Sequence, residues 1–379
     1  MMRAPKAWIL AGVAATVACR GSDAVSTPAP RDSALAAGDP ASPASDPAGA
    51  AEPEAKPKPE PEPKPEPKPE PPPTLPDGTA IAPCIDPPPP GMACIPGGAF
   101  LRGTDEPEPA NARPQQTVWL QTFYMDVDEV TVEQYDRCKD DPDRSRRCPR
   151  KSGPQYLDFD HPKMPIQGPS WFDSRSYCRF QGKDLPTEAQ WEKAARGTEG
   201  ALYSWGDEPV TCERAIIQDP VLGRGCGQKK EKGDKPETGR PWDVGSRPPG
   251  VYGLNDMMGN SWEWVIDWYS PSYEACGEAC QGQDPRGPCE GADTCSGHYM
   301  RIVRGGSWYW DAAHATAVFR RPHFPSNEPF HHFGFRCAAS AEQAQALVDA
   351  AATGAGGGAD AGADVPADAG GDGGAGAPG

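Results

Sequence analysis

Apolar positions are spread unevenly along the chain, and their spacing in the central block predicts a series of short elements. Thr131-Val132-Glu133-Gln134 places a Thr three residues before a Gln, with Tyr135 and Cys138 following. The Thr hydroxyl and the Gln side chain can satisfy each other's orphan backbone donors, so a helix is expected to open here and run towards Cys138. The signature recurs at Thr187-Glu188-Ala189-Gln190, with Trp191, Ala194 and Ala195 on one face and Gly197 placed to stop the helix. A third helix is expected from Ser170. Strand-like runs lie at Thr117 to Met125, Arg301 to Val303 and Phe333 to Cys337. Short mixed elements with many Gly and Trp turns point to an α+β class rather than a doubly wound sheet.

Outside this block the pattern disappears. From Arg20 to about Pro83 the chain is Pro, Ala, Glu and Lys, and between Glu52 and Pro73 every second residue or so is Pro. A polyproline-II rise of ~3.1 Å per residue would make that tract a semi-rigid stalk roughly 70 Å long. Beyond Ala338 an Ala-rich piece passes into Gly, Ala and Asp without a basic residue, which predicts a disordered, acidic tail. At the other end, Arg3 and Lys6 precede an apolar run from Ala7 to Ala18 that is too short to span a bilayer but suits a signal peptide. It ends in Thr16-Val17-Ala18-Cys19, which resembles a bacterial lipobox, whose Cys is diacylated and becomes the mature N-terminus. The competing reading is an ordinary secretory signal with a chance Cys. The expected organisation is a signal peptide over 1–19, a stalk over 20–83, a folded domain over 84–338 and a tail over 339–379. Acylated Cys19 would make the lipid bilayer a partner. Arg20, rather than Asp, after it directs the protein to an outer membrane or cell surface.

Composition sharpens this division. The chain has 379 residues, and the folded block holds ten of its 11 Trp and 12 of its 13 Cys. A net charge of −17 without a Lys/Arg stripe excludes nucleic acid as a partner. Setting Cys19 aside leaves 12 Cys, an even number in an exported chain, so disulfides are the default. Cys84 and Cys94, Cys138 and Cys148, and Cys212 and Cys226 are each spaced to close a short loop. Each closure would contribute roughly 3 kcal/mol. Cys276, Cys280, Cys289 and Cys295 suit two nested disulfides better than a four-Cys zinc site.

A longer set of strings resembles a known family. Glu129-Val130-Thr131, Gly182-Lys183-Asp184-Leu185-Pro186-Thr187-Glu188-Ala189-Gln190-Trp191-Glu192 and Ala194-Ala195-Arg196-Gly197 come first. Trp205-Gly206, Val244-Gly245-Ser246, Tyr252-Gly253-Leu254 and Met258-Gly259-Asn260-Ser261-Trp262-Glu263-Trp264 follow in order. Arg304-Gly305-Gly306-Ser307-Trp308 and Gly334-Phe335-Arg336-Cys337 complete the set. Together they resemble consecutive motifs of the formylglycine-generating (sulfatase-modifying factor) family, from about Met92 to Cys337. The resemblance implies a C-type-lectin-like α+β fold with little regular structure, and a core disulfide between Cys178 and Cys337. Physically, the Gly pairs read as tight turns, and Trp262, Trp264 and Trp308 as buried scaffold.

The family's chemistry does not carry over. Its enzymes oxidise a sulfatase Cys with O₂ at a copper(I) ion held by two thiolates, and soft copper(I) suits soft sulfur. The matching positions here are Trp310 and Ala315, so copper and formylglycine generation are not expected, and no catalytic residue is assigned. Iron is the alternative: His314, His323, His331 and His332, with Asp311 and Glu328, lie in the loop 311–332 and would serve a non-haem oxygenase. Calcium is the metal the resemblance favours, through the side chains of Asp256 and Glu263 and the carbonyls of Gly259 and Ser261. The competing reading of that turn has Glu263 paired with a buried donor. The family's peptide cleft maps onto Trp262, Ser307, Trp308, Trp310, Arg320 and His332, so the expected function is binding of a peptide, glycan or envelope component.

Overall fold

Three helices open at the caps the sequence marks. Helix α1 (Val132–Lys139) starts from Thr131, whose hydroxyl accepts from the Gln134 amide at 3.2 Å while the Gln134 side chain accepts from the Thr131 amide at 2.9 Å. Helix α2 (Trp171–Phe180) has the same reciprocal cap between Ser170 and Asp173, and α3 (Glu188–Arg196) between Thr187 and Gln190. Gly197, at φ 74°, ends α3. The computed structural model describes residues 73–353 apart from 234, 236 and 237. The expected signal peptide with Cys19, the stalk as far as residue 72 and the tail from residue 354 lie outside the described residues.

Short strands form three small sheets. Strand β1 (Met92–Ile95) pairs antiparallel with β4 (Phe123–Asp126), and β2 (Gly98–Arg102) with β3 (Gln116–Leu120). The run expected as one strand from Thr117 to Met125 is therefore two strands, β3 and β4, in different sheets. They part at Gln121-Thr122, where the Thr122 hydroxyl accepts from the Gly97 amide at 3.0 Å and donates to the Ala82 carbonyl. The largest sheet has the order β8 (Arg321–His323), β7 (Arg301–Arg304), β5 (Trp262–Trp268), β9 (Phe333–Gly334). The two-residue strand β6 (Gly282–Gln283) adds to β3. A one-turn helix, α4 (Tyr273–Cys276), follows β5.

The strand expected over Phe333 to Cys337 ends after Gly334. Phe335 and Cys337 then bond to the segment preceding α1: the Val130 amide donates to the Phe335 carbonyl at 2.9 Å, and the Cys337 amide donates to Asp126 Oδ2 at 3.0 Å. The chain continues as β10 (Ala338–Ser340), on β4, and as α5 (Ala341–Ala352). This corrects the expected tail from residue 339. Ala344 is fully buried, and Leu347 packs with Met92 and Tyr124. The capping box Ser340/Gln343 was the signal available in the sequence. The ordered structure also begins before Cys84, because Leu75 and Ile81 are buried.

Two apolar clusters fill the interior. Trp191, Ile95, Val118, Met257 and Val265 belong to one. Trp171, Trp262, Trp264 and the Cys178–Cys337 disulfide belong to the other. That pair has a Cα separation of 5.5 Å, and the pairs Cys84–Cys94, Cys138–Cys148 and Cys212–Cys226 form as spaced. The last four Cys pair side by side, Cys276–Cys280 and Cys289–Cys295, rather than nested. Positive φ at Gly277 (64°) and Cys289 (56°) turns the chain tightly enough to close each small loop, and none of these four Cys keeps a thiol for zinc.

Candidate functional site

Strand β7 delivers the chain into the site through Gly305 and Gly306, both at positive φ (92° and 81°). A Cβ on Gly306 would stand 2.9 Å from Ala315 Cα and 3.0 Å from the His314 carbonyl, so only Gly lets the loop 307–315 fold back so closely. Ala315 is thereby sealed, with no exposure, and Trp310 is half-buried beside it. The two positions where the family's thiolates would stand hold an indole and a buried methyl. All twelve described Cys are disulfide-bonded.

Aromatic rings cluster around this loop. His314 sits 4.7 Å from Trp310 and 4.8 Å from Phe319, with Trp262 5.8 Å from Phe319 (ring centroids). His332 is surrounded by Tyr156 at 4.3 Å, Trp308 at 5.1 Å and Phe159 at 5.2 Å. Trp262, Ser307 and Trp308 are buried beneath this surface, whereas Trp310 and His332 are partly exposed on it. The buried indole N–H groups of Trp262 and Trp308 have no acceptor among the described residues. Burial, then the charges of Arg321 and His323, lowers His331 to about 4. Burial, then His331 and nearby Lys and Arg charges, does the same to His332. Both rings are neutral at neutral pH.

Arg320 does not line the cleft as expected. Its guanidinium is buried on Glu188, with Nε 2.6 Å and Nη2 3.0 Å from the carboxylate. The residue the sequence reading missed is its neighbour Arg321, whose guanidinium lies 4.6 Å from the Trp310 ring centroid and 5.4 Å from that of Phe333. Arg320 precedes strand β8 and Arg321 opens it, and the two guanidinium groups meet different surroundings, Glu188 for one and aromatic rings for the other. Nothing in the residue types of the pair separates them.

The histidine loop supplies fragments of a metal site. Asp311 and His314 are joined at 2.6 Å, and the rings of His323 and His331 are 4.8 Å apart. Among the described residues, no three His, Cys, Asp or Glu side chains are gathered to hold a metal ion. Glu328 is exposed.

At the Asp256–Glu263 turn, Glu263 is engaged by buried donors. Arg336 Nη2 donates to Oε1 at 2.7 Å, Arg336 Nε to Oε2 at 2.8 Å and Trp191 Nε1 to Oε2 at 2.7 Å. Asp256 Oδ2 accepts from the Gly245 amide at 2.7 Å, and Asn260 Nδ2 donates to Glu129 Oε2 at 2.7 Å. Two buried carboxylate oxygens, Asp256 Oδ1 and Glu129 Oε1, have no partner among the described residues. Burial raises Asp256 to about 6 and, with the charges of Asp256 and Glu263 adding to it, raises Glu129 well above the usual carboxylate range. The donor set therefore fits a hard cation through Asp256 and Glu129 better than through Glu263.

The fold defines a formylglycine-generating-enzyme-like domain. Residues 80–341 match the family described as "Sulfatase-modifying factor enzyme 1-like domain", and the chain belongs to it. It is 32% identical over 263 residues to "Serine/threonine-protein kinase pkn1" of Chlamydia pneumoniae, covering 65% of this chain and 37% of that protein. It is 28% identical over 304 residues to the formylglycine-generating enzyme of Bos taurus, covering 66% of this chain and 75% of that one. It is 29% identical over 301 residues to "Inactive C-alpha-formylglycine-generating enzyme 2" of Mus musculus, covering 66% and 86%. The chain thus spans only about a third of the kinase-named relative. Among solved structures, PvdO from Pseudomonas aeruginosa matches with a TM-score of 0.50 and 20% identity, over 66% of this chain and 94% of that one.

Proposed function

We propose that this domain is a binding module that has lost copper-dependent formylglycine generation. The observation that carries the reading is the presence of Trp310 and the sealed Ala315 at the positions the resemblance matches to the two thiolates, amid a cluster of aromatic rings. Neither residue offers copper(I) a soft donor, whereas exposed indole and imidazole faces suit stacking against a ligand. Incubation with copper, O₂, a reductant and a peptide carrying Cys-x-Pro-x-Arg should leave the Cys unchanged, as read by mass spectrometry. Turnover above background would overturn the reading. The iron-oxygenase alternative has less support, since Glu328 is exposed and, among the described residues, no third ligand joins Asp311 and His314.

Calcium is proposed as a structural ion held by Asp256 and Glu129, with the Gly259 and Ser261 carbonyls that the family uses. An ion that binds only the folded state adds about 2.7 kcal/mol at one hundred times its dissociation constant. Millimolar calcium should raise the melting temperature by several degrees, and Asp256→Asn should blunt the rise. Calorimetry showing no response to calcium or chelator would overturn the calcium proposal.

Anchoring through an acylated Cys19 completes the proposal and puts the domain at an outer membrane or cell surface. The lipobox-like Thr16-Val17-Ala18-Cys19 supports it. The expected mature N-terminus is a lipid-modified Cys19, and an unmodified N-terminus in the mass spectrum of the membrane fraction would refute it.

A further inference from the structure

Among the fully buried arginines, Arg102, Arg304 and Arg320 are matched by Glu188 and Arg336 by Glu263, all within 3.0 Å, while Arg301 donates to the Ile266 and Ala292 carbonyls. The Arg321 guanidinium has neither kind of partner. Among the described residues it makes no hydrogen bond or ion pair, and it lies against Trp310, Trp262 and Phe333 at 4.6, 5.6 and 5.4 Å. Burial alone lowers it to about 10, with no neighbouring carboxylate acting to restore it. A partly desolvated charge without a counter-charge costs stability, so its persistence calls for a partner that the described residues do not provide.

Further cations lie over rings of the same cluster: Arg224 over Tyr309 at 3.6 Å, Lys230 over Phe159 at 5.8 Å and Lys151 over Tyr156 at 5.7 Å. The carboxylates beside them are engaged, Asp158 and Glu231 with Arg240 and Asp311 with His314 at 2.6 Å. A guanidinium without a counter-charge beside further cations suits an anionic ligand. A guanidinium stacked on aromatic rings keeps its planar fork of N–H groups for a bidentate carboxylate.

Arg321 also begins β8, an edge strand of the four-stranded sheet, with Pro322 at its centre, a residue that edges tolerate. An extended peptide can add to such an edge through its backbone. We propose that Arg321 anchors a carboxylate side chain of an extended acidic peptide lying along the aromatic cleft. This rests on the binding-module reading and names its ligand class.

The test uses the full chain at low ionic strength, with hexaglutamate, hexaglutamine and hexagalacturonate as probes, titrated calorimetrically against wild type, Arg321→Lys and Arg321→Gln. Hexaglutamate should bind wild type, bind Arg321→Lys less well and bind Arg321→Gln at least roughly tenfold more weakly, the loss expected for a charge-assisted pair. Hexaglutamine should not bind. The melting temperature of Arg321→Gln should be unchanged or higher, because the partly buried charge it loses has no internal counter-charge. Equal affinity in Arg321→Gln, no binding of hexaglutamate to wild type, or tighter binding of hexagalacturonate than hexaglutamate would each overturn the proposal. Those outcomes leave the binding-module reading intact, which only formylglycine formation in the copper assay would overturn.

Discussion

Glu188→Gln should lower the melting temperature by roughly 10 °C or more, since breaking a buried ion pair costs about 3–5 kcal/mol and each kcal/mol is worth 2–4 °C in a domain of this size. The Glu188 carboxylate has no exposure and holds three guanidinium groups: Arg102 at 2.8 Å, Arg304 at 2.9 Å and Arg320 at 2.6 Å. Gln keeps the shape and one acceptor but removes the charge, leaving three buried cations to share Glu192 and Asp267. Against a total stability on the order of 5–15 kcal/mol, that loss is large. The same network gives a pH dependence. Burial would raise the Glu188 carboxyl, but the charges of Arg320, Arg304 and Arg102 outweigh it and lower the group from 4.5 to about 2. A depressed carboxylate stabilises the fold fully above its unfolded value, and the contribution is lost as pH falls through the folded one. Thermal unfolding followed by circular dichroism should therefore show wild type losing this contribution between about pH 4.5 and pH 2, and Glu188→Gln lacking that component of the loss. A melting temperature within a degree or two of wild type would show that the network is dispensable.

The paired substitution Cys178→Ala with Cys337→Ala is the other large effect. The disulfide closes 159 residues of separation, more than any other in the domain. The chain-entropy account assigns such a loop roughly 5 kcal/mol, which corresponds to a fall in melting temperature of about 10–20 °C. Removing Cys276 and Cys280, whose separation is 4, should cost much less on the same account. Differential scanning calorimetry on the two double variants decides it; similar losses would show that loop entropy is not the stabilising term.

Much of the fold was legible because its signals are local. Thr131, Ser170 and Thr187 cap helices with a side chain reaching three residues along the chain, so the starts of α1, α2 and α3 could be placed without a partner in view. Disulfides closing ten to fourteen residues were local in the same sense. The split at Gln121-Thr122 was not, because it depends on Gly97 and Ala82 arriving from elsewhere. Helix α5 is not local in that sense either, because an Ala-rich piece next to Gly and Asp reads as low complexity until Met92 and Tyr124 offer it a surface.

The sequence by itself determined the α+β class, the helix starts, the membership implied by its ordered motifs and the absence of thiols at positions 310 and 315, since each depends on residue identity or short-range spacing. Only the tertiary structure decided the fates of Arg320 and Arg321. Adjacent in sequence and identical in chemistry, they part in the fold, and the neighbour each meets decides what it does: Glu188, from α3, holds one in the core, and the rings of Trp310, Trp262 and Phe333 hold the other without a counter-charge. Glu263 is the same case, since its partner Arg336 lies 73 residues away. Charge, size and spacing can be read along a chain, whereas the burial and pairing that set a charged group's energy exist only after distant segments have packed.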